Sequence, residues 1–124
     1  MTGAVRGRGS AADHDARERG SVVAELAIAL PAVLLTLLLG VGALHTAATQ
    51  VALQDAAADA ARLLGRGEGA DRAAGVVRAS VDGARMSASD ADDLVCVTAS
   101  ARVGVGRLIS IPLRMRSCAL RGGL

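Results

Sequence analysis

The feature that most constrains this chain is a long stretch without charge. No Asp, Glu, Lys or Arg occurs over residues 26–54. The run Leu26-Ala27-Ile28-Ala29-Leu30-Pro31-Ala32-Val33-Leu34-Leu35-Thr36-Leu37-Leu38-Leu39-Gly40-Val41-Gly42-Ala43-Leu44 is almost wholly apolar. With its less apolar flanks the segment reaches roughly 25 residues, and a helix of about 20 crosses the hydrocarbon of a bilayer. The competing reading is a buried core helix. The roughly 60 residues that follow the helical region are too few to wrap such a helix on every side, so the segment reads as a membrane span.

Flanking charge orients it. Arg17 and Arg19 lie just before the span, and the next arginine is Arg62. The positive-inside rule then places the N-terminus in the cytoplasm and the C-terminal part outside, in a single pass through the cytoplasmic membrane. An ordinary secretory signal fits less well. Its apolar region runs to about 7–15 residues and ends in a small-residue cleavage site. Here the run is longer, contains Glu25 near its start, and has no clean A-x-A site at residues 43–48.

Composition excludes other classes. A net charge of +2 is too small to call for a polyanionic partner. The chain has no Phe, Trp or Tyr, so it offers no platform for stacking single-stranded bases, and a nucleic-acid partner is not expected. The same absence removes the aromatic belt that flanks many membrane spans.

Glu25 is the most informative residue. A carboxylate in a membrane segment costs about 2.5–3.5 kcal/mol on insertion scales and is normally functional or paired; near the interface it also snorkels. Its neighbourhood is Arg17-Glu18-Arg19-Gly20-Ser21-Val22-Val23-Ala24-Glu25. If the chain is cut after Gly20, Ser21 becomes the N-terminus. The new α-amine then lies one helical turn from Glu25, at i and i+4. A helix N-terminus also favours a nearby carboxylate.

This pattern resembles the class III signal of type IV pilins: a short basic leader ending in Gly, Glu at the fifth mature position, then an apolar helix. The segment Arg19-Gly20-Ser21-Val22-Val23-Ala24-Glu25-Leu26-Ala27-Ile28-Ala29-Leu30-Pro31 is most similar to the TadE-like minor pilins, or pseudopilins, of tight-adherence pilus systems. Asp55-Ala56-Ala57-Ala58-Asp59-Ala60-Ala61-Arg62 resembles the Ala- and Arg-rich continuation of the same helix. The resemblance implies cleavage between Gly20 and Ser21 by an aspartic prepilin peptidase. It implies membrane lipid, other pilin subunits and pilus assembly proteins as the remaining partners. The chain would be a substrate of that peptidase and not an enzyme, with no cofactor, and the cell-surface pilus would be its destination.

Pro31 cannot donate to the helical ladder and is expected to kink the segment, either as a harmless bend or as a hinge between bilayer and filament. Beyond the span, residues 51–64 are rich in helix formers, with Asp55 and Asp59 at i and i+4 and Asp59 and Arg62 at i and i+3. Gly65-Arg66-Gly67-Glu68-Gly69 ends the helix. It lacks the Lys and Ser/Thr of a phosphate loop, and no strand precedes it. A second helix is expected over residues 70–85 and a polar, acidic loop over residues 86–93. The period then changes to two. Val95, Val97, Ala99, Ala101 and Val103 alternate with Cys96, Thr98, Ser100 and Arg102. Ile109, Ile111, Leu113 and Met115 alternate with polar residues in a second strand, where Pro112 suits an edge or a bulge.

In a hairpin of these two strands Cys96 and Cys118 lie on the same polar face and can meet as a disulfide. The alternatives are a two-Cys metal site or a reactive thiol, but His14 and His45 are far upstream, so no metal is expected.

The expected architecture is α+β. It comprises a cytoplasmic leader over residues 1–20, a membrane helix with an amphipathic extension over residues 21–64, and a small extracytoplasmic head over residues 65–124. That head is built from a second helix and a C-terminal β-hairpin. Most of the 52% apolar content is thereby assigned to the long helix rather than to a globular core. Two other functions compete with the pilin reading: a signal-anchored or secreted extracytoplasmic binding protein, and a small membrane effector such as a holin.

Overall fold

The computed structural model describes Gly3 and residues 9–122. Of the expected leader, Met1, Thr2 and residues 4–8 therefore lie outside the described residues. Five elements follow in order: helix α1 (Gly9–Gly65), helix α2 (Ala70–Ser80), and strands β1 (Arg85–Ala91), β2 (Leu94–Val105) and β3 (Ile109–Leu120). The chain divides into two compact units, Met1–Val41 and Gly42–Leu124.

The first unit is helical, and every residue described from 11 to 41 is exposed. The helix forms because the run is dominated by Ala and Leu, which lose little side-chain freedom in a helix. Pro31 is accommodated inside it.

The second unit is an α+β head. Its sheet is antiparallel with strand order β1-β2-β3. In β2 the inward residues Val95, Val97, Ala99, Ala101 and Val103 are all buried, following the two-residue period of a half-buried strand. Val97, Ala99, Ala101 and Val103 meet Leu53, Ala56, Ala57, Ala60 and Ala61 of α1, together with Ala73 and Val77 of α2. The α1 positions recur at three- and four-residue spacing, the face of a helix that packs on a core.

The core gives the amphipathic extension of α1 its buried face: its Ala-rich part supplies one wall of the head's core. Alanine suits that wall because a side chain of one carbon lets a helix lie close to a sheet and loses no rotamer freedom. The charged face is opposite, where Arg62 and Asp59 form an exposed ion pair at 3.3 Å.

Two local expectations change. The second helix ends at Ser80, with Val81 in extended conformation, because the turn dipeptide Asp82-Gly83 outweighs the helical propensity of Ala84 and Arg85. The expected loop over residues 86–93 is mostly strand: β1 pairs with β2 from Arg85↔Ser100 to Ala91↔Leu94. The hairpin is thus a three-stranded sheet. Asp92 and Asp93 form its two-residue turn, and Asp92 has φ 53, a left-handed conformation that Asp tolerates.

The end of α1 is fastened in two ways. The Glu68 amide donates to the Leu63 carbonyl and the Gly67 amide to the Leu64 carbonyl, at 3.0 Å each, with Gly67 at φ 82. This is a Schellman cap, which needs a left-handed residue at Gly67. Gly65 lies directly against β3: the Gly122 amide donates to its carbonyl at 2.8 Å, and a Cβ there would come within 2.7 Å of the Leu120 carbonyl oxygen.

Candidate membrane-anchoring and processing segment

Thirteen large apolar side chains that lie exposed, from Val22 to Leu44, define the segment. Neighbouring positions such as Leu37, Leu38 and Leu39 are 59%, 69% and 72% exposed, so apolar surface surrounds the helix instead of forming one stripe. A helix apolar on all sides needs an apolar environment around it. A contiguous exposed apolar surface of this size marks a membrane or protein contact. The helix is long and apolar enough to cross a membrane, and none of its most hydrophobic window is buried within the protein.

Its polar groups suit such an environment. In hydrocarbon, each backbone and hydroxyl group has to find a partner within protein. The Thr36 hydroxyl donates to the Ala32 carbonyl at 2.8 Å, and the hydroxyls of Thr46 and Thr49 donate to the carbonyls of Gly42 and His45 at 2.9 Å. Each threonine is therefore satisfied by its own helix. Pro31 has no amide to give the carbonyl one turn before it, that of Ala27.

Gly20 and Ser21 are adjacent on α1, Glu25 lies one turn further on, and all three are exposed. A Cβ at Gly20 would meet nothing within 4 Å. Packing therefore gives no reason for glycine at this helical position, where it costs up to about 1 kcal/mol relative to alanine. Glu25 forms no ion pair among the described residues. Ser21 and Glu25 keep the i, i+4 relation on one helix face.

In the head, Cys96 and Cys118 stand opposite each other in the β2–β3 register, 4.0 Å apart at Cα, and are bonded. They lie on the sheet face turned away from the core. The same face carries Arg85, Ser100 and Arg114 in one register row and Arg116 in the next. Among the described residues, no three His, Cys, Asp or Glu side chains converge as metal ligands would. Sequence reasoning did not find β1, whose Ser, Ala and Asp residues carry little apolar alternation. The usable signal was punctuation: Asp82-Gly83 before it and Asp92-Asp93 after it bracket a strand-length segment.

The family model described as TadE-like protein matches residues 20–62, which contain nearly all of the residues that carry the resemblance. TadE-like proteins are structural proteins associated with Tad-type pili and are not a family of enzymes. No curated protein and no solved structure matches the chain.

Proposed function

We propose that this chain, TadE-like over residues 20–62, is a minor pilin or pseudopilin of a Tad-type pilus or related secretion system. It is made as a membrane-anchored precursor and cut between Gly20 and Ser21 by a prepilin peptidase on the cytoplasmic side. The apolar helix then passes from lipid into contact with other pilin subunits, or primes their assembly.

One observation carries the reading: an uncharged apolar helix with none of its most hydrophobic window buried in its own protein, preceded at fixed spacing by Gly20, Ser21 and Glu25. Such a helix must be covered by lipid before assembly and by neighbouring helices after it, and both environments are apolar. Cleavage resolves the exposed Glu25, which has no ion pair among the described residues. The amine of Ser21 becomes a positive group one turn away, in the same chain or in a neighbour, and offsets the cost of carrying a carboxylate into the bundle. The disulfide supports an extracytoplasmic head, since such bonds persist in oxidising compartments. The arginines before the span support the same orientation.

The test is the mature N-terminus, read by mass spectrometry of protein expressed with its cognate peptidase. A start at Ser21, and an unprocessed, membrane-held precursor in Gly20→Ala, are the expected results. Normal processing of that variant would sink the class III assignment. A native chain starting near Ala47 would point to a secreted protein, and an intact Met1 to a plain anchor or membrane effector.

A further inference from the structure

The β2–β3 turn, residues 106–108, presents an apolar tip that the head does not use. Leu108 is 96% exposed and Ile109 59%, and Arg107 lies beside them. Two adjacent exposed apolar side chains at a hairpin tip offer a small surface for an apolar contact.

Its position along α1 indicates what that contact is. A Cβ on Gly42 would lie 3.7 Å from Cγ1 of Val105, the last residue of β2. Further up the same strand, Arg102 and Gly104 line a groove together with His45, Thr49 and Ala52 of α1. Strand β2 therefore descends along α1 and delivers its turn at the level of Gly42. That level is the end of the apolar run, since Leu44 is its last large aliphatic residue before His45.

We infer that the tip formed by Arg107, Leu108 and Ile109 dips into the outer boundary of the bilayer while the protein is membrane-held. This inference rests on the membrane reading of α1. The occupant of the apolar tip is lipid, because within the head unit the strand leading to it lies beside Gly42, close to where the apolar run ends and hydrocarbon gives way to headgroups. Leu108 and Ile109 enter the acyl region, and the guanidinium of Arg107 reaches back to headgroup phosphate, as long cationic side chains do at interfaces. Trp and Tyr normally mark this depth. The chain has neither, and the hairpin tip takes their place as the interfacial anchor.

The lack of aromatics makes the test clean, since one introduced tryptophan is the only fluorophore. Full-length Leu108→Trp, Leu120→Trp and Leu35→Trp variants are reconstituted into phosphatidylcholine–phosphatidylglycerol vesicles, with or without lipids brominated near the headgroup or near the chain end. Leu120 is the control, because it is exposed and sits at the opposite end of the β2–β3 register. Leu108→Trp is expected to emit at shorter wavelength than Leu120→Trp and to lose emission mainly to the shallow bromine. Leu35→Trp is expected to lose it mainly to the deep bromine.

If Leu35→Trp is quenched and Leu108→Trp is not, the tip inference is overturned while the membrane reading stands. If Leu35→Trp escapes quenching, the membrane reading itself fails. A blue-shifted but unquenched Leu108→Trp would place a protein neighbour on the tip instead of lipid, and would likewise overturn the inference.

Discussion

Replacing Gly65 with alanine sets two physical effects against each other, and the structure decides between them. Glycine is the poorest helix former after proline, so Gly→Ala inside a helix stabilises by about 0.5–1 kcal/mol where there is room. At Gly65 there is none: the new Cβ would sit 2.7 Å from the Leu120 carbonyl oxygen and 3.5 Å from Cβ of Ala119. The near neighbour is backbone, which cannot rotate away. Strand β3 must shift, and the 2.8 Å bond from the Gly122 amide to the Gly65 carbonyl opens with it. A lost hydrogen bond costs about 1 kcal/mol and overpacking about 1–3 kcal/mol. Against a propensity gain of at most about 1 kcal/mol, the net destabilisation is about 1–3 kcal/mol. The internal control is Gly75, midway along α2, where a Cβ would meet nothing within 4 Å. Gly75→Ala should therefore stabilise by about 0.5–1 kcal/mol. For a head of about 80 residues, each kcal/mol moves Tm by about 4–8 °C. The assay is thermal unfolding of the full chain in mild detergent, followed by far-UV circular dichroism and by hydrogen exchange of the β2 amides, since no aromatic reports on the fold. The two substitutions should move Tm in opposite directions. If Gly65→Ala stabilises as Gly75→Ala does, the close approach of α1 to β3 is refuted.

Two further predictions concern the head. Removing the disulfide with Cys96→Ala and Cys118→Ala together should lower stability by about 3 kcal/mol, from the loop closed by a sequence separation of 22. Denaturant midpoints of oxidised and double-variant protein check this, and equal midpoints would refute a stapling role. Leu53 is fully buried and among the largest such side chains, so Leu53→Ala should cost about 2–5 kcal/mol. The same change at the exposed Val51 should cost well under 1 kcal/mol. Urea titration of the two variants compares them, and similar losses would mean that α1 does not form the core wall.

Much of this fold was legible because its signals are local. The uncharged apolar run, the glycine cluster that stops α1, and the two-residue period of residues 95–103 each declare themselves within a few turns or one strand length. The resemblance over Gly20, Ser21, Glu25 and Pro31 was legible for the same reason, being a short pattern with fixed spacing.

By itself, then, the sequence determined the membrane-length helix, the switch from helix to strand and the segment that matches the TadE-like family. Only the tertiary structure decided how the weakly apolar residues are used. Ala56, Ala57, Ala60 and Ala61 read as helix formers, and only packing against β2 makes them a core. Ser87 and Ser89 read as loop, and only pairing with Thr98 and Cys96 makes them strand. Leu108 carries no local signal at all; its meaning comes from Val105 lying beside Gly42. The physical reason is common to all three. Alanine, serine and an exposed turn leucine gain too little from local conformation to choose a structure, so the choice passes to partners far away in the chain.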